Sequence, residues 1–304
     1  MSTTGGLLLS AGLSPPDACA ESATPPDDDD AGYFRALRRA TAGPWPLQNQ
    51  GLTRSLATEP GTAFLTVDLC PSTRRFDQDF FERLLRHRGE APFPVGVSVS
   101  GLWLLKHQAA FSWLQERVRR QELAITWVNH TLRHRYVPTL PPERNFLLMA
   151  GTDARDEMLD NARLLLEHEA RPSAFVRFPG LVSDRHVTGV ARDLGLIPLG
   201  ADAWLAKGQP IRDGSVVLVH ANGNEPAGLR ALTDDVLAAT RWLPLADLLR
   251  SVEACFAVPT PSAWPMQSGP EGPLAHPDPE GSTRSTLRSN SPAASPRPLR
   301  GSDA

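Results

Sequence analysis

The sequence predicts an α/β fold, a distorted barrel of parallel strands with helices between them, on three observations. Short apolar runs alternate with amphipathic stretches from about residue 60 to about residue 240, the pattern of strand–helix units around a parallel sheet. The runs are continuously apolar instead of alternating, as in strands covered on both faces. The ionisable residues of this region fall at the C-terminal ends of the runs, where parallel barrels gather their chemistry.

The elements follow in order. Residues 63–69 read as the first strand and 77–87 as a helix; 94–99 is the second strand and 102–120 a long helix. A third strand covers 123–128. The helix over 153–168 has the clearest 3.6-residue period, with Leu159, Ala162, Leu165 and Leu166 on one face. Then come a strand at 174–178, a helix at 184–194, strands at 196–199 and 215–220, and a helix at 226–239. So many units fit a barrel better than a small open sheet.

The flanks differ in character. Residues 1–58 read as a leader with a Pro25-Pro26 pair, four aspartates from Asp27 to Asp30 and a short amphipathic stretch at 33–40. Residues 259–304 are rich in Pro, Ser, Gly and Arg and lack a sustained apolar period, so the expectation is a disordered tail. The domain itself is expected over 59–258. A net charge of -3 with scattered Lys and Arg gives no basic footprint for nucleic acid. Three cysteines do not make a disulfide framework. No apolar run reaches transmembrane length. Leu7-Leu8-Leu9 is a poor signal peptide, because no Lys or Arg precedes it and Pro15-Pro16 follows closely.

The strand ends carry the candidate site. The first strand ends in Asp68, the third in Asn129-His130 with His134 four residues on, and the fourth in Arg177-Phe178-Pro179-Gly180. Asp202-Ala203-Trp204 follows the fifth, and the sixth ends in His220. Taken singly, each has a structural explanation: a cap, a buried ion pair, a core histidine. Together they suit hydrolysis of an amide. The His130/His134 spacing suits a zinc-type ion, which activates water and polarises a carbonyl. A carboxylate such as Asp68 can take the water's proton and a histidine can donate to the leaving nitrogen. Arg177 beside Asp68 would keep it ionised. Asn222, in the loop after His220, can hydrogen-bond a sugar or hold that loop. Trp127 and Trp204, near strand ends, are the candidates for stacking on a pyranose ring.

The same residues, in this order, resemble the motifs of the NodB-homology polysaccharide deacetylases, a carbohydrate esterase family with a distorted parallel barrel. The family's Thr-Phe-Asp-Asp-Gly-Pro is matched in part by Thr66-Val67-Asp68-Leu69-Cys70-Pro71. Its His-Ser/Thr-x-x-His after an Asn is matched by Asn129 to His134. Its Arg-x-Pro-Tyr is echoed by Arg177-Phe178-Pro179-Gly180, its Asp/Trp motif by Asp202-Ala203-Trp204, and its Leu-x-His by Leu218-Val219-His220. The resemblance spans about residues 60 to 257. It implies Asp68 as general base, His220 as general acid, Arg177 orienting Asp68 and Asp202 supporting His220. His130 and His134 would bind a divalent metal, zinc or else cobalt or nickel, and the Gly180 amide would face the oxyanion. The implied substrate is an N-acetylated glycan such as peptidoglycan, a chitin-like oligomer or an exopolysaccharide, with export to the periplasm or exterior expected from that activity.

The first motif departs from the family. Its metal-binding aspartate is Leu69 here, and leucine cannot ligate. Asp68 itself, Asp77 or Asp184 are the alternatives for completing the site, or the metal is lost. Two other readings therefore stay open: a non-catalytic carbohydrate-binding relative, and a small-molecule amidase or esterase.

Overall fold

The computed structural model describes residues 28–55 and 58–250; the tail expected over 259–304 and the first part of the leader lie outside the described residues. Among the described residues, eight parallel strands form one curled sheet. β1 (Thr62–Leu69), β2 (Phe93–Val99) and β3 (Leu123–Asn129) lie side by side, followed outward by the two-residue β4 (Phe175–Val176) and β5 (Ile197–Pro198). On the other side of β1 run β7 (Ser215–His220) and then β6 (Ala203–Trp204). β8 (Arg241–Trp242) pairs with the beginning of β1, at Thr62 and Ala63. The parallel α/β class expected from the strand–helix alternation is the one the chain adopts.

Strand alternation in β1 separates two clusters of the core. Ala63, Leu65, Val67 and Leu69 of β1 face outward into a layer completed by α2 (Gln78–Arg86), α3 (Gly101–Lys106) and α4 (Gln108–Arg119). Phe64 faces the other way, into an inner cluster with Val128, Phe175, Val216 and Leu218. Thr66 and Asp68 continue that inner face up to the strand end. The site is therefore a polar cap on an apolar barrel interior.

The N-terminal segment takes part in this interior. Helix α1 (Asp28–Thr41) places Ala36 and Ala40 in the inner cluster and packs on β5 and on α6 (Arg185–Asp193). Residues 47–55 then run between β5 and β7, which do not pair with each other: the Leu52 amide donates to the Pro198 carbonyl at 2.9 Å and the Val216 amide to the Thr53 carbonyl at 3.1 Å. The domain boundary expected near residue 58 thus cuts through packed structure. Leu52 is buried in the inner cluster, Tyr33 and Leu37 pack against it, and the Tyr33 hydroxyl donates to the Gly195 carbonyl at 2.8 Å.

Two expected long helices are each divided. The helix over 102–120 breaks at His107, whose ring Nε2 sits 3.0 Å from the Ser72 carbonyl. The helix over 226–239 becomes α7 (Pro226–Ala231) and α8 (Asp234–Ala239), the latter capped by the Thr233 hydroxyl. The helix over 153–168 appears as α5 (Ala154–Glu167), but its buried face is Ala154, Glu157, Met158, Asn161 and Leu165, with Leu166 exposed. Among the described residues, no helix is long and apolar enough to cross a membrane.

Candidate active site

A cleft of about 500 Å³ opens at the C-terminal ends of the strands, lined by Asp68, Cys70, His130, His134, Gly180, His220 and Glu225 among others. Asp68, at the end of β1, is 3% exposed. Its Oδ1 accepts from Arg177 Nη1 at 3.3 Å, while Oδ2 lies 3.7 Å from His130 Nε2 and 4.0 Å from His220 Nε2. Burial alone would raise the Asp68 carboxyl, but the charge of Arg177 and those of His130 and His220 hold it below its ordinary value. Arg177 is itself fully buried. Burial lowers its pKa and the Asp68 carboxylate opposes that; every arm of the guanidinium is also hydrogen-bonded, to Thr66 Oγ1 at 3.0 Å and to the Leu199 and Gly200 carbonyls, each at 3.1 Å.

His130 and His134 are carried not by a helix but by a loop with two left-handed residues, Thr131 at φ 63 and His134 at φ 46. Each such residue costs roughly 1–3 kcal/mol unless its surroundings enforce it, and here they do. Asn129 Oδ1 accepts from the Thr131 amide and from Asn161 Nδ2, both at 3.0 Å. The carbonyl of Glu157 accepts from the Leu132 amide at 2.9 Å, and its buried carboxylate accepts from the Arg133 amide at 2.7 Å. The result brings the two imidazoles to 4.6 Å between ring centres. His130 Nδ1 lies 2.9 Å from the Arg177 carbonyl. A carbonyl only accepts, so Nδ1 carries the proton and, in the neutral ring, Nε2 keeps its lone pair toward the cleft.

Cys70 joins this pair. Strand alternation sends Leu69 into the outer core, fully buried, and returns Cys70 to the side of Asp68. Its Sγ is 3.4 Å from His130 Nε2, and the donor atoms of Cys70, His130 and His134 all lie within 4.8 Å of one another. Burial alone would raise the thiol, but the neighbouring His134, His220 and His130 bring it well below its ordinary value. The other carboxylates considered for this place are used elsewhere. Asp77 Oδ2 accepts from the Gly223 amide at 2.7 Å, and Asp184 caps α6 through the Val187 amide at 2.8 Å.

His220 ends β7 with Nδ1 2.8 Å from Glu225 Oε2, leaving Nε2 toward Asp68 and the cleft. Burial works against its protonation, but Cys70, Glu225 and Asp68 raise it well above the ordinary histidine value. Glu225 is fixed in turn by Trp204 Nε1, which donates to Oε2 at 2.9 Å.

Asp68, His130, His134, Arg177, Gly180, Trp204 and His220 thus converge, while three expected residues take other places. Asp202 forms no ion pair with His220 among the described residues; its charge partner is Arg54, 4.0 Å away, and Glu225 holds the histidine instead. Trp127 points into the outer core, its ring centre 5.0 Å from that of Phe111 on α4, because it sits one residue out of phase with the inward positions of β3. Asn222 is fully buried, its Nδ2 donating to the Cys70 carbonyl at 2.9 Å and its Oδ1 accepting from the Asn224 amide at 3.2 Å, so it shapes the loop and does not face the cleft. Trp204 lines the cleft, with the Lys207 ammonium 3.6 Å over its ring centre and His220 beside it at 5.8 Å. An aromatic pair absent from the sequence reading stands at the rim: exposed Tyr136 stacks on Phe146 with ring centres 5.2 Å apart.

The fold is shared with a solved structure. A family 4 carbohydrate esterase from Bacillus anthracis superposes with a TM-score of 0.50 over 67% of this chain and 88% of that one, at 17% identity. The chain has the fold of the family 4 carbohydrate esterases. PdaA of Bacillus subtilis, also a family 4 carbohydrate esterase, gives 0.49 over 72% of this chain and 90% of that one, at 15% identity. BA3943, a family 4 pseudoenzyme from Bacillus anthracis, gives 0.46 over 65% and 68%, at 14% identity. No family model matches the sequence.

Proposed function

We propose that this protein is a metal-dependent deacetylase that hydrolyses N-acetyl groups of a glycan. The observation that carries the reading is the placement of Asp68 Oδ2, 3.7 Å from His130 Nε2 and 4.0 Å from His220 Nε2, on the floor of one open cleft. It supports a reading in which the Asp68 carboxylate is the base, His130 on one side holds a metal and His220 on the other is the proton donor. The site also fits a metal by its own chemistry: the buried Nε2 of His134 has no hydrogen-bond partner among the described residues, and His130 Nε2 is presented in the right tautomer. A bound ion supplies Lewis acidity toward the acetyl carbonyl and the attacking water.

The residues divide the remaining work. Asp68, kept ionised by Arg177, takes the proton of the attacking water. His220, whose protonated form is favoured by Cys70 and then by Glu225 and Asp68, gives its Nε2 proton to the departing glycan nitrogen, so that acetate and a free amine result. The backbone amide of Gly180 faces the developing oxyanion. Gly180 is in the left-handed region at φ 63, and a Cβ there would meet the Phe146 ring at 2.5 Å, so no side chain can take its place without movement. Tyr136 and Trp204 flank the opening as apolar surfaces for a sugar ring.

The test is acetate release from N-acetylglucosamine oligomers and from peptidoglycan by the full chain with zinc, cobalt or nickel. Activity that falls by about 10²–10⁴ in Asp68→Asn and in His220→Ala supports these roles. No acetate from any such polymer with any of the three metals overturns the reading. Turnover confined to small acyl amides or esters would select a small-molecule hydrolase instead.

A further inference from the structure

We propose that Cys70 is the third protein ligand of the metal, giving a Cys-His-His donor set in place of one built on a carboxylate. This rests on the metal-dependent reading above, but it concerns the ligand set and not the reaction. A tetrahedral zinc holds sulfur at about 2.3 Å and nitrogen at about 2.0–2.1 Å, which puts neighbouring donors about 3.5 Å apart. Cys70 Sγ and His130 Nε2 already stand at 3.4 Å, and a nitrogen of His134 completes a triangle no wider than 4.8 Å.

The backbone around the sulfur is fixed on both sides. The Leu69 carbonyl accepts from the Ser100 hydroxyl at 2.9 Å and from the Ser100 amide at 3.2 Å, and the Cys70 carbonyl accepts from Asn222 Nδ2 at 2.9 Å. Such outer contacts aim a ligand as surely as they aim a histidine. They give the buried Asn222 its purpose and explain how the chain dispenses with an aspartate at Leu69. Three protein donors leave a fourth position open toward the cleft, as in catalytic zinc sites. A thiolate donor also biases the choice of ion toward zinc and cobalt(II) and away from magnesium and manganese.

The experiment uses cobalt(II) as the probe. The chain has two further cysteines, Cys19 and Cys255, so both are changed to serine in the full-length protein, leaving Cys70 as its sole sulfhydryl. That protein should take up cobalt with a thiolate-to-metal charge-transfer band in the near ultraviolet, displaced by zinc and untouched by magnesium. Adding Cys70→Ser should abolish the band and weaken cobalt binding by about 100-fold or more, the upper end of the loss seen when even an outer contact is removed. A cobalt complex of the double variant that lacks the band, or no cobalt uptake by it, overturns the assignment, and neither outcome depends on whether the Cys70→Ser protein folds. Acetate release is scored separately. The band without turnover leaves the ligand set standing and removes the deacetylase reading; cobalt-dependent turnover without the band does the reverse.

Discussion

Replacing Leu69 with aspartate restores, on paper, the first motif of the NodB-homology deacetylases, and the structure predicts that it will damage this protein instead. Leu69 is fully buried in the outer core beside Val97, Val99 and Trp103. Removing the leucyl side chain from such a place costs roughly 2–5 kcal/mol. A carboxyl group with no partner there adds roughly 1–3 kcal/mol. The sum, roughly 3–8 kcal/mol, is a large part of the stability of a typical domain. At about 2–4 °C per kcal/mol for a chain of this size, it lowers the melting temperature by at least about 6 °C. Burial raises the pKa of the new carboxyl above its unfolded value, so its protonated form is the better tolerated one. The deficit should therefore be smallest at low pH and grow as pH rises past the ordinary aspartate range near about 4. Thermal and urea unfolding followed by circular dichroism measures this, with Leu69→Met as the size-matched control expected to cost less than about 1.5 kcal/mol. A Leu69→Asp protein as stable as the parent that also binds metal more tightly would show that residue 69 faces the cleft, and the alternation argument for Cys70 would fall with it.

Three further outcomes follow from the geometry. Glu225→Gln removes a negative charge that helps keep His220 protonated, so the histidine's pKa falls and the alkaline limb of the kcat profile moves to lower pH; Asp202→Asn should leave that limb in place, and equal shifts in both would refute the assignment of Glu225. Glu157→Ala releases the Arg133 amide from the histidine loop and should weaken zinc binding by roughly 10–100-fold by competition titration, whereas unchanged affinity would mean that the loop holds its shape unaided. Gly180→Ala forces a methyl onto the Phe146 ring from a left-handed backbone, at a cost of roughly 1–3 kcal/mol for the backbone alone; unfolding indistinguishable from the parent would argue against that conformation.

Much of the fold was legible because burial on both faces writes itself as continuous apolar runs. β1, β2, β3 and β7 are such runs and stand within a residue or so of their expected bounds. β4 and β5 shrink to two residues each, since the chain pairs there only briefly before turning to the site. α5 shows where apolar periodicity misleads. Its inward positions include Glu157 and Asn161, polar residues spent on holding the His130–His134 loop, so of the expected apolar face only Leu165 is fully buried and Leu166 is exposed. In the site, the residues fixed by a strand end were readable: Asp68, His130, Arg177 and His220. Those that depend on how loops meet were not. Glu225 reaches His220 by a turn after β7, and Asp202 is drawn off by Arg54, a residue of the N-terminal segment far away in sequence. Cys70 is a visible departure from the motif, but its direction is set by Leu69 lying buried on the opposite face.

The central claim is that this cleft hydrolyses an N-acetyl group with a metal held by the two loop histidines. The most direct measurement is acetate released from an N-acetylglucosamine oligomer by the zinc-loaded full chain, beside a His130→Ala/His134→Ala protein whose folding is verified by circular dichroism. The account predicts steady acetate release by the parent, loss on chelation, recovery with added zinc, and none from the double variant. Equal release by the two proteins would contradict it, as would a zinc-loaded parent that binds the oligomer and leaves every acetyl group in place.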